Sequence, residues 1–444
     1  MPPSVDPEVP EKLSLEDLQD AWSLLVAEDR LDAFRALERT EAEDFFLGLS
    51  ARDQADLLLG LPSAERRSWF RLLAPDDAAD LIQEVASEER EGLLGQLDEP
   101  TRRDVGALLA YAEDDAGGLM NPRYARVRPE ISIDEAITYL RRQAAERTQS
   151  LPYAYVLDQE QRLLGVVSYR ELFTAKPGQT VQDVMASDLV TVHEAMDQED
   201  VSRLFSTYRL LAIPVVDAEG RMKGIVTLDD VVDVVREEAT EDIQKIGGTS
   251  ALEAPYLQVS GWEMIRKRAG WLSVLFLGES LTAVAMGHFE AEIARAVVLA
   301  LFVPLVISSG GNSGGQATTL VIRAMALGEV KLRDWWTVVK REFFAGLGLG
   351  TILATIGLVR IVVWEKFFHT YGPHYLALAA AVSISLLGVV LWGTMVGSML
   401  PFLLRRLGLD PATASAPFVA TLVDVTGLII YFSAARIILA GQLL

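Results

Sequence analysis

The sequence predicts a multi-domain membrane protein, in which an all-α superhelical region, an α/β repeat and a linking helix precede a five-helix α transmembrane bundle. Three observations support this fold class. Apolar stretches long enough to cross a bilayer dominate only after residue 265. A short helical pattern recurs near the start of the chain. A longer unit containing strands occurs twice between this helical repeat and the apolar stretches.

The helical pattern begins at Leu49 and repeats about every 12 residues, as in LSARDQADLLLG, LPSAERRSWFRL and LAPDDAADLIQE. Each unit has an apolar start, a Ser, Pro or Asp turn with capping character, and a short amphipathic helix. Stacked short helices of this kind form a superhelical solenoid. We expect this domain to span residues 12–118.

The α/β unit has a period of roughly 60 residues and fills residues 119–237. YAYVLDQEQRLLGVVSYRELF resembles LAIPVVDAEGRMKGIVTLDDVV, and each copy indicates helix, strand, turn, strand and helix. The residues from Asp217 to Gly220 suit a hairpin turn. The repeat resembles a tandem pair of CBS domains, which commonly dimerises and binds adenine nucleotides or metal ions.

Residues 238–268 are predicted to link this pair to a membrane domain at 269–444 as a helix that continues into the bilayer. Five spans fit the apolar pattern. They are expected at residues 269–289, 294–327, 344–364, 375–402 and 416–439. Basic residues cluster in the connections after the second and fourth spans, namely Lys331, Arg333, Lys340, Arg341, Arg405 and Arg406. Positive connections face the cytoplasm, so we expect the N-terminus inside and the C-terminus outside. MPPSVDPEVPEKLS lacks a basic region followed by an apolar core, so we expect no signal peptide.

Charge and composition restrict the partners. The first 265 residues contain 26 Lys and Arg against 53 Asp and Glu, a formal charge of −27, which disfavours nucleic acid and favours cations or plain solubility. The sequence has no cysteine, which excludes disulfides and thiolate metal sites. Its four histidines lack paired metal spacing. Oxygen atoms are therefore the metal ligands present in quantity.

Asp424 is the most informative residue of the membrane domain. It lies near the middle of the fifth span, where an ionisable group is costly unless it faces water, a cation or a partner. Helical spacing places Ala420, Gly427 and Tyr431 on the same stripe. The alternative is an aspartate that caps or pairs inside the bundle, but no basic residue is near it in that span.

The second span contains PLVISSGGNSGGQATT, in which Pro304 frees a backbone carbonyl and four glycines allow close approach of a helix or an ion. Neutral oxygens follow at Ser309, Asn312, Gln316 and Thr318. This donor set suits Mg²⁺ that keeps its water shell. Tight helix packing through small residues is the alternative interpretation.

GGNSGGQATTLVIRA and PFVATLVDVTGLIIYFSAAR resemble the paired pore motifs of the MgtE family of magnesium channels, and the order of domains resembles that family along the whole chain. The resemblance implies a homodimer in a prokaryotic inner membrane whose second and fifth helices line the pore. It assigns the pore carboxylate to Asp424, and pore-lining positions to Ala420, Asn312, Gly311 and Gly427.

The resemblance also implies magnesium sites outside the membrane that hold the pore closed when Mg²⁺ is plentiful. It places Asp76 and Asp80 opposite Asp230 and Asp233. It joins linker, CBS pair and pore domain through Glu199, Glu238, Glu241, Asp242 and Asp410. Clustered carboxylates repel one another, and Mg²⁺ can offset this cost. For each carboxylate alone a solvated helix face is the favoured interpretation, and only the joint pattern favours binding. Arg209 stands where we expect an acidic residue in some family members.

ATP is a further ligand that the resemblance implies. Tyr153 and Arg170 match positions that contact ATP in some CBS pairs of the family. A stacked tyrosine and a phosphate-facing arginine are chemically suitable. Ordinary domain packing explains the two residues equally well.

Two other classes of function remain open at this stage. An intramembrane enzyme using Asp424 would need a second carboxylate at membrane depth, for which Glu279 is the obvious candidate. An ion-coupled carrier of Mg²⁺, Mn²⁺ or Co²⁺ is the main alternative to a channel, although five spans do not form an obvious inverted repeat.

Overall fold

The computed structural model describes residues 15–143, 152–252, 254 and 256–441. The chain divides into two compact units, Met1–Glu238 and Ala239–Leu444. Each unit contains buried apolar clusters of its own.

From residue 15 onward, the described part of the first unit begins with eight short α-helices. They are α1 (Leu15–Ala21), α2 (Ala27–Ala36), α3 (Arg39–Leu47), α4 (Ala51–Gly60), α5 (Ser63–Phe70), α6 (Pro75–Gln83), α7 (Ser87–Leu94) and α8 (Glu99–Leu108). Helices α4 to α8 start at regular intervals of 12 residues, which confirms the helical repeat. Polar side chains start some of these helices: the Ser50 hydroxyl accepts a hydrogen bond from the Asp53 amide, and Asp98 accepts one from the Thr101 amide.

Two copies of an α/β motif follow. The first contains α9 (Ala116–Leu119), β1 (Arg126–Val127), α10 (Ile133–Gln143), β2 (Tyr153–Leu157), β3 (Leu163–Ser168) and α11 (Tyr169–Thr174). The second contains β4 (Val192–His193), α12 (Gln198–Tyr208), β5 (Ala212–Val216) and β6 (Met222–Thr227). In each copy a short strand pairs in parallel with the first strand of an antiparallel hairpin.

The hairpin between β5 and β6 turns where the sequence predicts it. The Asp217 carboxylate accepts hydrogen bonds from the amides of Glu219 and Arg221, and Gly220 takes a φ of 78°. Glycine adopts this left-handed conformation without the steric cost that a side chain adds. Local turn chemistry therefore closes the strand pair.

The predicted linking region is divided between two helices. Helix α13 (Leu228–Ile246) starts directly after β6, and α14 (Gly261–His288) starts after a connection at 247–260. Residues 238–268 thus comprise the end of α13, this connection and the first turns of α14. Arg209 ends α12 with a φ of 52°.

The second unit contains five helices that are long and apolar enough to cross a membrane, among the residues described, as the sequence predicts. They are α14, α16 (Val303–Ala326), α17 (Trp335–Phe368), α18 (Tyr375–Arg406) and α19 (Ala416–Ile438), with the short α15 (Glu290–Arg295) between the first two. Pro304 lies in the first turn of α16, after a 3-10 segment at Val297–Phe302. It starts this helix without breaking it, because first-turn amides need no intrahelical partner.

Glycines set the distance between α16 and α18. A Cβ atom on Gly393 would collide with the Gly310 carbonyl oxygen, and one on Gly397 would collide with the Gly314 carbonyl oxygen. The Thr318 hydroxyl donates to the Gly397 carbonyl at 2.8 Å. The two backbones therefore pack without intervening side chains.

Candidate cation sites

The glycine-rich helix α16 has three faces with different roles. Its first face, which contains Gly310, Gly314 and Thr318, is buried against α18. On the same face the hydroxyls of Ser313 and Thr394 form a hydrogen bond of 2.7 Å. Tight helix packing, the alternative that the sequence left open, thus accounts for this face.

The second face of α16 contacts α19 and carries the candidate pore site. A Cβ atom on Gly311 would lie 3.3 Å from Cβ of Ala420 and 3.6 Å from Oδ1 of Asp424. One turn further, a Cβ atom on Gly315 would lie 3.3 Å from Cβ of Ala416. The absence of side chains on α16 therefore leaves the Asp424 carboxylate beside bare backbone, where an ion or its water can approach.

The third face of α16 is polar and exposed in the single chain. Ser308, Asn312 and Gln316 follow one another at intervals of one helical turn, and all three are exposed. The Asn312 amide donates to the Ser308 hydroxyl at 3.4 Å. Polar side chains on a spanning helix are stable where they meet water, an ion or another protein surface. Asn312 of this stripe directly follows Gly311, the residue that faces Asp424.

Two residues of the Asp424 stripe, Gly427 and Tyr431, are buried in the bundle. Gly427 is buried, and a Cβ atom there would contact Val389 of α18 at 3.1 Å. Tyr431 is fully buried and donates a hydrogen bond to the Leu299 carbonyl. All four residues lie on one face of α19, but other elements of the bundle cover the later part of that face, at Val389 of α18 and at Leu299.

A second group of carboxylates gathers in the first unit, between α6 and the first half of α13. We call it the α6–α13 acidic cluster. It comprises Asp76, Asp77, Asp80, Asp230, Asp233 and Glu237. The negative charges of Asp77, Asp230 and Asp80 act on Asp76, and that of Asp233 acts on Asp77 and Glu237. The four residues that the sequence predicts to face one another are therefore brought together.

Burial and mutual repulsion disfavour ionisation of this cluster. Asp76 is only 5% exposed, and loss of water followed by repulsion from its neighbours raises its pKa well above the ordinary value. The same causes raise the pKa of Asp80 to about 8. Burial raises the pKa of Asp230 to about 7, although hydrogen bonds from Thr227 oppose the shift. The cluster therefore stores repulsion that protons or cations can relieve.

The cluster is not a ready-made coordination shell. Within the described ranges, no group of three or more histidine, aspartate or glutamate side chains is arranged to hold a metal ion directly. The Asn121 amide donates to Asp76 at 3.1 Å, and the Asp230 carboxylate accepts from the Thr227 hydroxyl at 2.6 Å. Mg²⁺ commonly keeps several waters and needs few direct protein ligands, so this spacing suits a hydrated ion.

The other predicted regulatory carboxylates do not gather in the same way. In the first unit, Glu199 pairs with Arg203 at 3.2 Å, and the Gln198 amide donates to Glu238 at 2.6 Å. In the second unit, Glu241 and Asp410 lie on either side of the Lys245 ammonium group. Asp242 lies on the same helix, α13. The cation between Glu241 and Asp410 is thus a side chain of the protein.

Sequence reasoning missed several members of these sites. Asp77 and Glu237 belong to the acidic cluster, and Lys245 neutralises two predicted metal ligands. The first two were detectable from sequence, since Asp77 follows Asp76 directly and Glu237 lies one helical turn after Asp233. The contact of Lys245 with Asp410 spans 165 residues and has no such signal.

Comparison with known proteins agrees with this arrangement. The sequence of residues 303–434 matches the MgtE protein family, described as divalent cation transporters. Residues 13–114 match the family of MgtE intracellular N domains. CBS domains match residues 116–178 and 181–237. The magnesium transporter MgtE of Thermus thermophilus is 41% identical over 435 residues, which cover 97% of this chain and 94% of that protein. The chain belongs to the MgtE family. MgtE of Bacillus subtilis is 32% identical, over 77% of this chain and 73% of that protein.

Among solved structures, the cytosolic domain of the Mg²⁺ channel MgtE in complex with ATP is 40% identical to this chain. The match covers 51% of this chain and 92% of that one, with a TM-score of 0.46. Membership of the MgtE family places this chain among magnesium transporters that contain a helical N domain, a CBS pair and a transmembrane domain.

The CBS pair of this MgtE protein holds a buried hydroxyl group without a partner. Tyr155 is 2% exposed, and its hydroxyl has no hydrogen-bond partner in the described part of the chain. The ring of Tyr153 lies edge-on to the ring of Tyr155, with 6.1 Å between the ring centroids. Arg170 is exposed on α11. Buried hydroxyls are nearly always paired, so Tyr155 is suited to a water or a bound ligand.

Proposed function

We propose that this protein is a magnesium-selective channel that mediates Mg²⁺ uptake and is closed by Mg²⁺ on the cytoplasmic side. One observation supports the channel above all. The Asp424 carboxylate lies against the bare backbone at Gly311, beside the exposed polar stripe of Ser308, Asn312 and Gln316. One carboxylate with neutral oxygens suits Mg²⁺ that passes with water still attached.

The pathway is completed by a second copy of the chain. In one protomer the polar stripe of α16 is exposed, and its exposure to lipid would be costly. A symmetric dimer that brings two copies of α16 and α19 together encloses these groups around water. We place this homodimer in a prokaryotic inner membrane, with the N-terminal domains in the cytoplasm and the C-terminus outside, in accordance with the basic connections.

Gating is assigned to the carboxylates outside the membrane. The α6–α13 acidic cluster is compact although its members repel one another. Mg²⁺ that binds there, largely through water, stabilises the compact arrangement, and its loss favours separation of the two elements. Glu199, Glu238, Glu241, Asp242 and Asp410 are further candidate ligands in the closed state, although Lys245 already neutralises two of them.

ATP is proposed as a second ligand, at the CBS pair. Tyr153 offers a ring for stacking, Arg170 an exposed guanidinium group, and Tyr155 a hydroxyl that lacks a partner. ATP added to the full-length protein should raise its unfolding temperature. Arg170→Ala should reduce that shift, whereas Arg142→Ala, a charge change on α10, should not. An equal shift in both variants contradicts this assignment.

Recording from purified full-length protein in planar bilayers tests the channel. Stepwise currents carried by Mg²⁺ support it, whereas uptake without unitary currents indicates an ion-coupled carrier. Asp424→Asn should abolish the block of monovalent current by Mg²⁺. Glu290→Gln, which removes an exposed carboxylate from α15, is the matched control and should leave the block unchanged. Unaltered ion preference in Asp424→Asn excludes the assigned pore site.

A further inference from the structure

Helices α14 and α19 lie side by side and run in the same direction. The Trp271 indole, in the first half of α14, donates to the hydroxyl of Ser415, the residue before α19, at 3.1 Å. Near their far ends, the rings of Phe289 and Phe432 stack at 5.1 Å. Contacts therefore advance together along the two helices, and residues at matching positions lie at the same depth.

The middle of this contact brings two carboxylates to within one helical turn of the same depth. A Cβ atom on Gly278 would lie 2.9 Å from Cγ2 of Thr421. Glu279 follows Gly278 directly, and Asp424 follows Thr421 by about one turn. The charge of Glu279 acts on Asp424. Residues 269–287 contain no Lys, Arg or His, so α14 supplies no basic neighbour for Glu279 in this region.

A hydroxyl without a hydrogen-bond partner lies about one turn after Glu279 on α14. Thr282 follows Glu279 by about one turn, and its Oγ1 is buried without a hydrogen-bond partner among the described residues. Other hydroxyls of the same two helices donate to the carbonyl four residues earlier, as Ser280 does to Phe276 and Thr421 does to Pro417. The Thr282 hydroxyl is instead able to bind a water molecule. This observation does not depend on the charges of Glu279 and Asp424.

We propose that Glu279 is a second, specificity-determining carboxylate of the Asp424 cation site, acting on a hydrated divalent ion with Thr282 as a water ligand. This inference rests on the proposed channel function. Two carboxylates within one helical turn of the same depth attract a divalent ion twice as strongly as a monovalent ion at the same distance. An ionised residue at membrane depth is also costly without such a partner. Glu279 thereby favours Mg²⁺ over K⁺, while Asp424 remains the central ligand.

Full-length protein in liposomes tests this role through two measurements, Mg²⁺ influx reported by an internal fluorescent indicator and block of K⁺ flux by Mg²⁺. Glu279→Gln should raise the Mg²⁺ concentration for half-maximal influx and for half-block by roughly three- to tenfold, with little change in maximal influx. In Glu279→Asp, the Mg²⁺ concentrations for half-maximal influx and for half-block should both be close to those of the parent protein. Thr282→Val should weaken block without changing charge, and Glu290→Gln should change neither quantity.

The outcomes separate this inference from the channel itself. If Asp424→Asn alters block while Glu279→Gln and Thr282→Val match the parent protein, the channel stands and the role of Glu279 is refuted. If the parent protein carries no Mg²⁺, both proposals fail. If Glu279→Gln elutes as aggregated protein, Thr282→Val becomes the test. If Mg²⁺ blocks K⁺ flux in Thr282→Val as strongly as in the parent protein, the site shared by Glu279 and Asp424 is refuted.

Discussion

The ammonium group of Lys245 lies 2.7 Å from the carboxylate of Asp410, and Glu241 contacts the same ammonium group at 2.6 Å. Burial lowers the pKa of Lys245, but hydrogen bonds from Lys245 to Asp410 and Glu241 outweigh this effect and hold that pKa above its ordinary value. A fixed cation thus joins the end of α13 to the connection before α19, between two residues that the family resemblance assigns as magnesium ligands.

Removal of this amine should increase the dependence of the protein on Mg²⁺. In Lys245→Gln the carboxylates of Glu241 and Asp410 lose their shared cation and repel each other. The direct loss of stability is small, about 1 kcal/mol or less, because these side chains are partly exposed. Millimolar Mg²⁺ should then raise the unfolding temperature of the full-length protein more than it does in the parent.

The control is Lys223→Gln, which breaks the pairing of Lys223 with Asp217 in the second α/β motif. Its response to Mg²⁺ should equal that of the parent. An equal response in Lys245→Gln would show that the two carboxylates do not bind Mg²⁺ even when their internal cation is removed.

The α6–α13 acidic cluster predicts a pH dependence. Its carboxyl groups have folded-state pKa values above the unfolded value of about 4, with Asp230 near 7 and Asp80 near 8. Their contribution to stability is therefore fully present below about pH 4 and is lost as pH rises through 7 to 8. Without Mg²⁺, protease resistance of residues 15–238 in the full-length protein should decrease between pH 5 and pH 8, and Mg²⁺ should flatten this profile.

Asp76→Asn tests the same cluster at constant pH. The Asn side chain can still accept the hydrogen bond from Asn121, but its charge is absent. We expect greater protease resistance without Mg²⁺ and a smaller gain on addition of Mg²⁺. Asp183→Asn, at an exposed turn, is the control. If Mg²⁺ increases the protease resistance of Asp76→Asn as much as that of the parent, Asp76 is not part of the regulatory site.

The packing of α16 on α18 predicts a strong effect of one methyl group. In Gly397→Ala the new Cβ would collide with the Gly314 carbonyl, and the helices would have to separate. The cost should be about 1–3 kcal/mol or more, seen as a lower unfolding temperature in detergent. Gly348→Ala, whose Cβ has nothing within 4 Å, should be neutral or slightly stabilising. If Gly397→Ala unfolds at the same temperature as the parent, the close approach of α16 and α18 is contradicted.

Tyr155→Phe removes the buried hydroxyl that has no partner. Because an unsatisfied buried polar group costs about 1–3 kcal/mol, the variant should be more stable than the parent in the absence of nucleotide. If ATP uses this hydroxyl, ATP should stabilise the variant less than the parent. Thermal unfolding with and without ATP measures both effects, and Tyr169→Phe serves as the control. Lower stability without ATP would show that the hydroxyl has a partner.

The periodic features could be predicted from sequence because local interactions determine them. The 12-residue spacing of α4 to α8, the hairpin at Asp217 to Gly220 and the five apolar helices all agree with the sequence patterns. Asp424 was also identifiable, since an acidic residue in an apolar span is costly wherever the helix packs.

The sequence by itself determined which segments form helices, strands and membrane spans, and it identified Asp424 as a candidate cation ligand. Only the tertiary structure decided which partner each group has. It assigned Gly310 and Gly314 to packing, left Gly311 beside Asp424, and placed Lys245 between Glu241 and Asp410. The physical reason is that a local pattern fixes the direction of a side chain on its own helix, whereas its neighbour depends on how distant helices cross.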